Sequence, residues 1–290
     1  MIKRVSCVHC KSCNTLKKGV RETQNRGVLQ KYHCKDCNKY FTENDGFYRM
    51  KNDPKKITKA IDLYFSNLSS RKVRNNFRRH EETNITHHTV LNWARKYALK
   101  VNQYMSSLNP TSLSGECYAD DTQVKVLGKR THFWVNVDWK TRYISATHYS
   151  INSHWNEARE FIKKTTKYGT PKYIQTDSAM FYPKVFKSLF SRKGRGKSLV
   201  EHKVTNARRT GKHNVRIETV FSKIKDRVDD FRGLKALWSA PILLTGIVLQ
   251  HNFIENHMST GKLPCELAGL NLEVGANRWL GLIKLSSNKL

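Results

Sequence analysis

Two sets of side chains in this sequence have the types and spacing for chemistry, one of thiols and one of carboxylates. Cys7 and Cys10 form a pair with two residues between them, and Cys34 and Cys37 repeat the pattern after 23 intervening residues. Each pair can present two thiolates from a tight turn, and two pairs complete the tetrahedral sulfur shell of a structural zinc, the spacing of a zinc ribbon. Cys13 repeats the spacing with Cys10 and competes for the site; the Cys7/Cys10 choice leaves the usual polar turn after the knuckle. The carboxylates are Asp120, Asp177 and Glu218. Three such groups around one cavity are costly unless cations neutralise them. Two divalent ions ~3.5–4 Å apart do so while activating an attacking oxygen and stabilising a leaving one. All-oxygen ligands indicate magnesium or manganese, two ions per site. Singly, each acid is ordinary: Asp121 and Asp177 suit turns or caps, and Glu218 suits a helix-surface ion pair.

These acids lie far apart in sequence, so only particular elements can bring them together. From Glu116 the pattern is strand-like over residues 117–126, 132–138 and 143–149, with connections short enough for an antiparallel meander. A helix over 155–168, a strand over 173–176 and a helix over 180–190 follow. Three hairpin strands and then alternating helix and strand is the order of a ribonuclease-H-like fold: an α/β catalytic core, a mixed sheet with flanking helices. In that order Asp120 falls in the middle of the first strand and Asp177 at the end of the fourth, its neighbour. Asn214, Glu218, Phe221 and Lys225 are spaced 4, 3 and 4, so they share one helix face.

Upstream, residues 27–32 and 40–41 supply strands for the ribbon, and Asn52-Asp53-Pro54 starts a helix. A second helix follows from Ser70 and a third from about Thr86, the arrangement of a helix-turn-helix. Its third helix would present Thr86, His87, His88, Asn92 and Arg95 to bases or phosphates, with Arg71 and Arg74 among the phosphate contacts. Four segments are expected: a zinc ribbon (1–48), a helix-turn-helix module (49–108), a ribonuclease-H-like domain (109–260) and a carboxy-terminal tail (261–290).

The 53 Lys and Arg outnumber the 23 Asp and Glu, a formal charge of +30. Residues 1–110 carry 23 basic and 8 acidic groups and residues 111–290 carry 30 and 15, so both halves suit a polyanion. By composition alone an RNA-coating protein fits as well as a DNA enzyme. Residues 192–216 hold nine basic groups and one acid, Glu201. Flanking a metal site, Arg208, Arg209, Lys212 and Arg216 read as a grip on phosphates. Gly194-Arg195-Gly196-Lys197-Ser198 mimics the end of a phosphate-binding loop, but Ser191 stands where its first glycine belongs. The tryptophans are mostly candidates for the core or an interface; Trp155 and Trp238 could also stack on an extruded base, with core packing the first expectation. No secretory signal is seen, and the longest apolar run, residues 240–249, falls short of a membrane span. A protein that stays in the cytoplasm is expected.

The runs 118–122 (YADDT), 174–183 (IQTDSAMFYP) and Asn214 through Glu218 to Lys225 and Arg227 resemble the three motifs of retroviral-integrase-like DDE transposases. With the Arg232-Gly233-Leu234-Lys235 turn and the final apolar helix, the chain looks most similar to the insertion-sequence-six family. The likeness covers about residues 115–257. Val215 and Phe221 depart from that family's asparagine and histidine. The resemblance implies that Asp120, Asp177 and Glu218 are the catalytic acids, that Lys225 and Arg227 contact DNA, and that the protein binds the terminal repeats of a mobile element, nicks DNA and transfers the strand to target DNA. Pairing two ends implies at least a dimer. A related metal-dependent nuclease and a non-enzymatic regulator derived from a transposase are the alternatives; converging carboxylates serve no purpose in the latter.

Overall fold

A small antiparallel sheet opens the chain: β1 (Thr15–Thr23), β2 (Gly27–Cys34) and β3 (Tyr40–Thr42), in that order. The computed structural model describes residues 5–24, 26–81, 84–191, 198–205, 215–231 and 234–288, with the side chains of Val215, Arg216 and Asn288 outside that set. β2 and β3 match the expected runs. β1 gives no alternating signal because seven of its nine residues are exposed. Only Cys7, Tyr32, Cys34 and Phe41 are buried here, too small a core to hold a fold without help.

Three helices follow. Asp53 caps α1 (Pro54–Phe65), accepting from the backbone N–H of Lys55 and Lys56, with Pro54 in the first turn, where its missing N–H costs nothing. Ser69 caps α2 (Ser70–His80) and Thr86 caps α3 (His87–Met105), so the helices begin within a residue of the starts expected from the sequence.

The larger sheet consists of β4 (Glu116–Val126), β5 (Lys129–Asp138), β6 (Ile144–Ser150), β7 (Tyr173–Thr176) and β8 (Glu201–Val204), in the order β6-β5-β4-β7-β8. β4, β5 and β6 are antiparallel, while β7 and β8 add in parallel beyond β4. This is the ribonuclease-H-like mixed sheet. One face is covered by α4 (Trp155–Thr165) and α5 (Tyr182–Phe190), which bury Cys117, Ala119, Trp134 and Ile174. The other face meets α6 (Val215–Asp230) and α7 (Ala240–Leu249) with its π-helical extension Gln250–Ile254, while α9 (Arg278–Asn288), which follows the short α8 (Pro264–Leu267), packs on α1, α3 and that extension.

That second core does not stop at residues 108 or 260. Val90, Trp93 and Tyr97 of α3, Val124 and Val126 of β4, Leu243 and Ile247 of α7, and Trp279, Leu282 and Ile283 of α9 belong to one cluster. The segment expected as a tail thus supplies core side chains. Gly246 sits where a Cβ would lie 2.1 Å from the Phe65 ring, so α1 and α7 approach as only a glycine permits. Among the described residues no helix is long and apolar enough to cross a membrane.

Candidate active site

Strand register decides whether the two aspartates meet. β4 and β7 pair in parallel with Cys117 opposite Ile174 and Tyr118 opposite Gln175. Continuing that register by two residues sets Asp120 level with Asp177 on the same face of the sheet, the face toward α6. Glu218 lies in the first turn of α6, whose Ile217, Val220, Phe221 and Ile224 are buried against the core. Lys225, two turns further along, is exposed, as is Glu218.

The electrostatics show how closely these groups crowd. Burial first, then the negative charges of Asp177, Asp121 and Glu218, push the Asp120 carboxyl up to about 7 against the stabilising backbone N–H of Asp121. Asp177 is also raised, by burial and then by Asp121, against the N–H of Ala179. Nearby, the Tyr182 hydroxyl is fully buried and finds no hydrogen-bond partner among the described residues. A half-buried Asp120 in repulsion with the more exposed Asp177 and Glu218, beside an orphaned hydroxyl, forms a donor set short of positive charge. That chemistry fits hydrated hard divalent cations. Asp121 points to the opposite face and pairs with His132, its Oδ2 2.5 Å from Nδ1. The sequence held no signal for this pair, because it joins neighbouring strands across a diagonal.

A family model described as "DDE domain" matches residues 115–257. Those residues are a DDE transposase domain. No curated protein matches the chain. Among solved structures, the HTLV-2 integrase catalytic core domain in complex with magnesium (trimeric form) aligns at 14% identity and a TM-score of 0.39 over 56% of this chain and 98% of that one. The simian T-cell lymphotropic virus intasome in complex with a PP2A regulatory subunit aligns at 14% identity and 0.42 over 73% and 72%.

Ahead of the transposase domain, the thiols of Cys7, Cys10, Cys34 and Cys37 all lie within 4.8 Å of one another, close enough for one metal ion. Cys7 and Cys37 are 3.6 Å apart, and Cys10 and Cys34 3.5 Å. Burial would raise the Cys7 thiol, but the N–H groups of Cys10 and His9 and the adjacent thiols pull it down to about 7, toward the thiolate a metal requires. Asp36 accepts from Ser12 and, at 2.8 Å, from Asn14, tying the second knuckle to the chain leaving the first. Cys13 is exposed and outside the four.

The basic candidates divide. Arg71, His88 and Asn92 are exposed, and Arg74 and His87 half-buried. The His87 ring stacks 4.1 Å from that of His88, and burial, His88, Arg71 and Arg74 together lower its pKa, so α2 and α3 contribute to one cationic cluster. The Thr86 hydroxyl is occupied in capping α3, accepting from Thr89 N–H at 3.1 Å. Arg227 requires correction as a DNA contact: it is 7% exposed and its Nη2 lies 2.7 Å from Glu255 Oε1, so the guanidinium is turned into the protein. Arg208, Arg209 and Lys212 lie outside the described residues, as does the side chain of Arg216. β8 lies within the basic run and was missed because its flanks read as loop. Trp155 and Trp238, expected in the core or an interface, are 38% and 64% exposed.

Proposed function

We propose that the chain is an insertion-sequence transposase that binds the terminal repeats of its element, nicks DNA and transfers the freed strand to target DNA, within the insertion-sequence-six group. The observation that carries the reading is the level placement of Asp120 and Asp177 on adjacent parallel strands, with Glu218 close enough on α6 to perturb Asp120. Asp120, Asp177 and Glu218 would hold two magnesium or manganese ions. Such a pair supplies Lewis-acid activation of the attacking oxygen and charge stabilisation of the leaving one. The carboxylates must give up the proton that their crowding favours, Lys225 grips phosphate beside the site, and Arg208, Arg209, Lys212 and Arg216 extend that grip. The α2–α3 pair acts as a helix-turn-helix, with His87, His88 and Asn92 toward the groove and Arg71 and Arg74 toward phosphates. The four cysteines hold a structural zinc. Joining two ends of one element calls for a homo-oligomer, working on the double-stranded DNA of a prokaryotic nucleoid.

Glu218→Gln separates chemistry from binding, because it keeps size and helix propensity while removing a charged ligand. Magnesium-dependent nicking and strand transfer on a terminal-repeat duplex are expected to fall by on the order of 100-fold or more. Gel-shift affinity should hold or improve, since a negative charge beside the phosphates is gone. Near-normal nicking would exclude Glu218 as the third acid.

A further inference from the structure

Between α6 and α7, after the buried Leu234, two apolar side chains turn outward, Trp238 64% and Leu237 41% exposed. Arg95 of α3 holds the indole from one side: its guanidinium carbon lies 4.8 Å from the ring centroid, and its Nε donates to Ser239 Oγ at 2.7 Å. On α3, Arg95 continues the stripe of His88 and Asn92 at i, i+4 and i+7, so that helix's exposed face runs directly onto Trp238. Lys235 is exposed in the same turn. Neither α3 nor residues 231–254 contain an acid. An exposed aromatic among cations, with no acid in either segment, matches a polyanion that also offers apolar faces. A second copy of this chain suits the patch poorly, because it brings the same +30 charge.

We propose that Lys235, Leu237 and Trp238 form a second DNA contact, carried by the catalytic region, against the duplex immediately beside the stretch that α3 faces. The indole packs on sugar and base, Lys235 neutralises a phosphate, and Arg95 orders the ring rather than reading sequence. This rests on the proposed function in taking α3 to face DNA.

The test uses the full chain and a duplex from the terminal repeat, followed by fluorescence anisotropy and hydroxyl-radical footprinting. Trp238→Ala, at an exposed position, should weaken binding about tenfold, as loss of an aromatic anchor does, and should remove protection from one end of the footprint. Trp238→Phe should retain most of both. Lys235→Ala should lower the slope of log affinity against log salt by about one. Unchanged affinity and footprint in Trp238→Ala would overturn the proposal. So would a shift in sedimentation with unchanged affinity, which would mark a protein contact. Asn92→Ala and His88→Ala in the same titration keep the two readings apart: if they leave repeat preference intact while Trp238→Ala weakens binding, the assignment of α3 fails and this contact stands.

Discussion

Asp120 concentrates the physics of the site in one residue. Its carboxyl is raised from the ordinary 3.8 to about 7, first by burial and then by its acidic neighbours, so without cations the folded chain holds a proton there that the unfolded chain has released. Between those two values the native state binds more protons, and stability must fall as pH rises. Asp120→Asn is therefore expected to raise the melting temperature of metal-free protein at pH 8 by about 2–4 °C, an amount typical of relieving one buried repulsion, and to leave it nearly unchanged at pH 4. Melting both proteins by circular dichroism across that range checks the sign; a variant less stable at pH 8 would contradict it. The thiol cluster invites a second measurement. Removing one of four thiolates breaks the tetrahedral shell, so Cys34→Ser should lower bound zinc from about one per chain to a small fraction. Undiminished metal in that variant would exclude Cys34 as a ligand.

At the scale of elements, α6 is held by its downstream half. Arg227 pairs with Glu255, and the Phe231 ring just beyond the helix stacks on Tyr64 of α1, centroids 4.4 Å apart. Gln250 extends the polar set: its Nε2 donates within 3.2 Å to Glu255, Asp62 and Ser66, and its Oε1 accepts from Trp279 Nε1 at 2.8 Å. Breaking one side of a buried ion pair strands the other charge, whereas replacing both sides with apolar groups is close to neutral. Glu255→Ala is thus expected to cost about 1–3 kcal/mol, discounted because Glu255 is partly exposed. Arg227→Met combined with Glu255→Leu should recover most of that loss in urea unfolding. Strict additivity of the two single changes would show that the pair is not coupled.

For the whole molecule, the continuous core from α1 to α9 has a consequence for stability. The face of α3 that buries Trp93, Tyr97 and Val101 packs on α7 and α9, so a fragment ending at Leu108 would expose it to water. Such a fragment is expected to lack a cooperative thermal transition, whereas residues 47–288 in the full chain unfold together. Calorimetry of both would show it, and a cooperatively folded fragment would refute it.

Features governed by local chemistry were legible in the sequence. The paired cysteines, the helix start at Asp53 and Pro54, the strand 173–176 and the hairpin meander of β4, β5 and β6 all depend on residues within a few positions of one another. So did the spacing that puts Glu218 and Lys225 on one helix face. Tertiary structure alone decided the rest. Arg227 was read as a DNA contact because the resemblance of the motif around Glu218 implied it; the reach of Glu255, 28 positions away, turns it inward. β1 escaped notice because a strand exposed along most of its length has no hydrophobic period. Asp121 met His132 across the diagonal of two paired strands, while Trp238 met Arg95 and residues 278–288 entered the core through packing between elements distant in the chain; periodicity within one element carries no information about which partner it will meet.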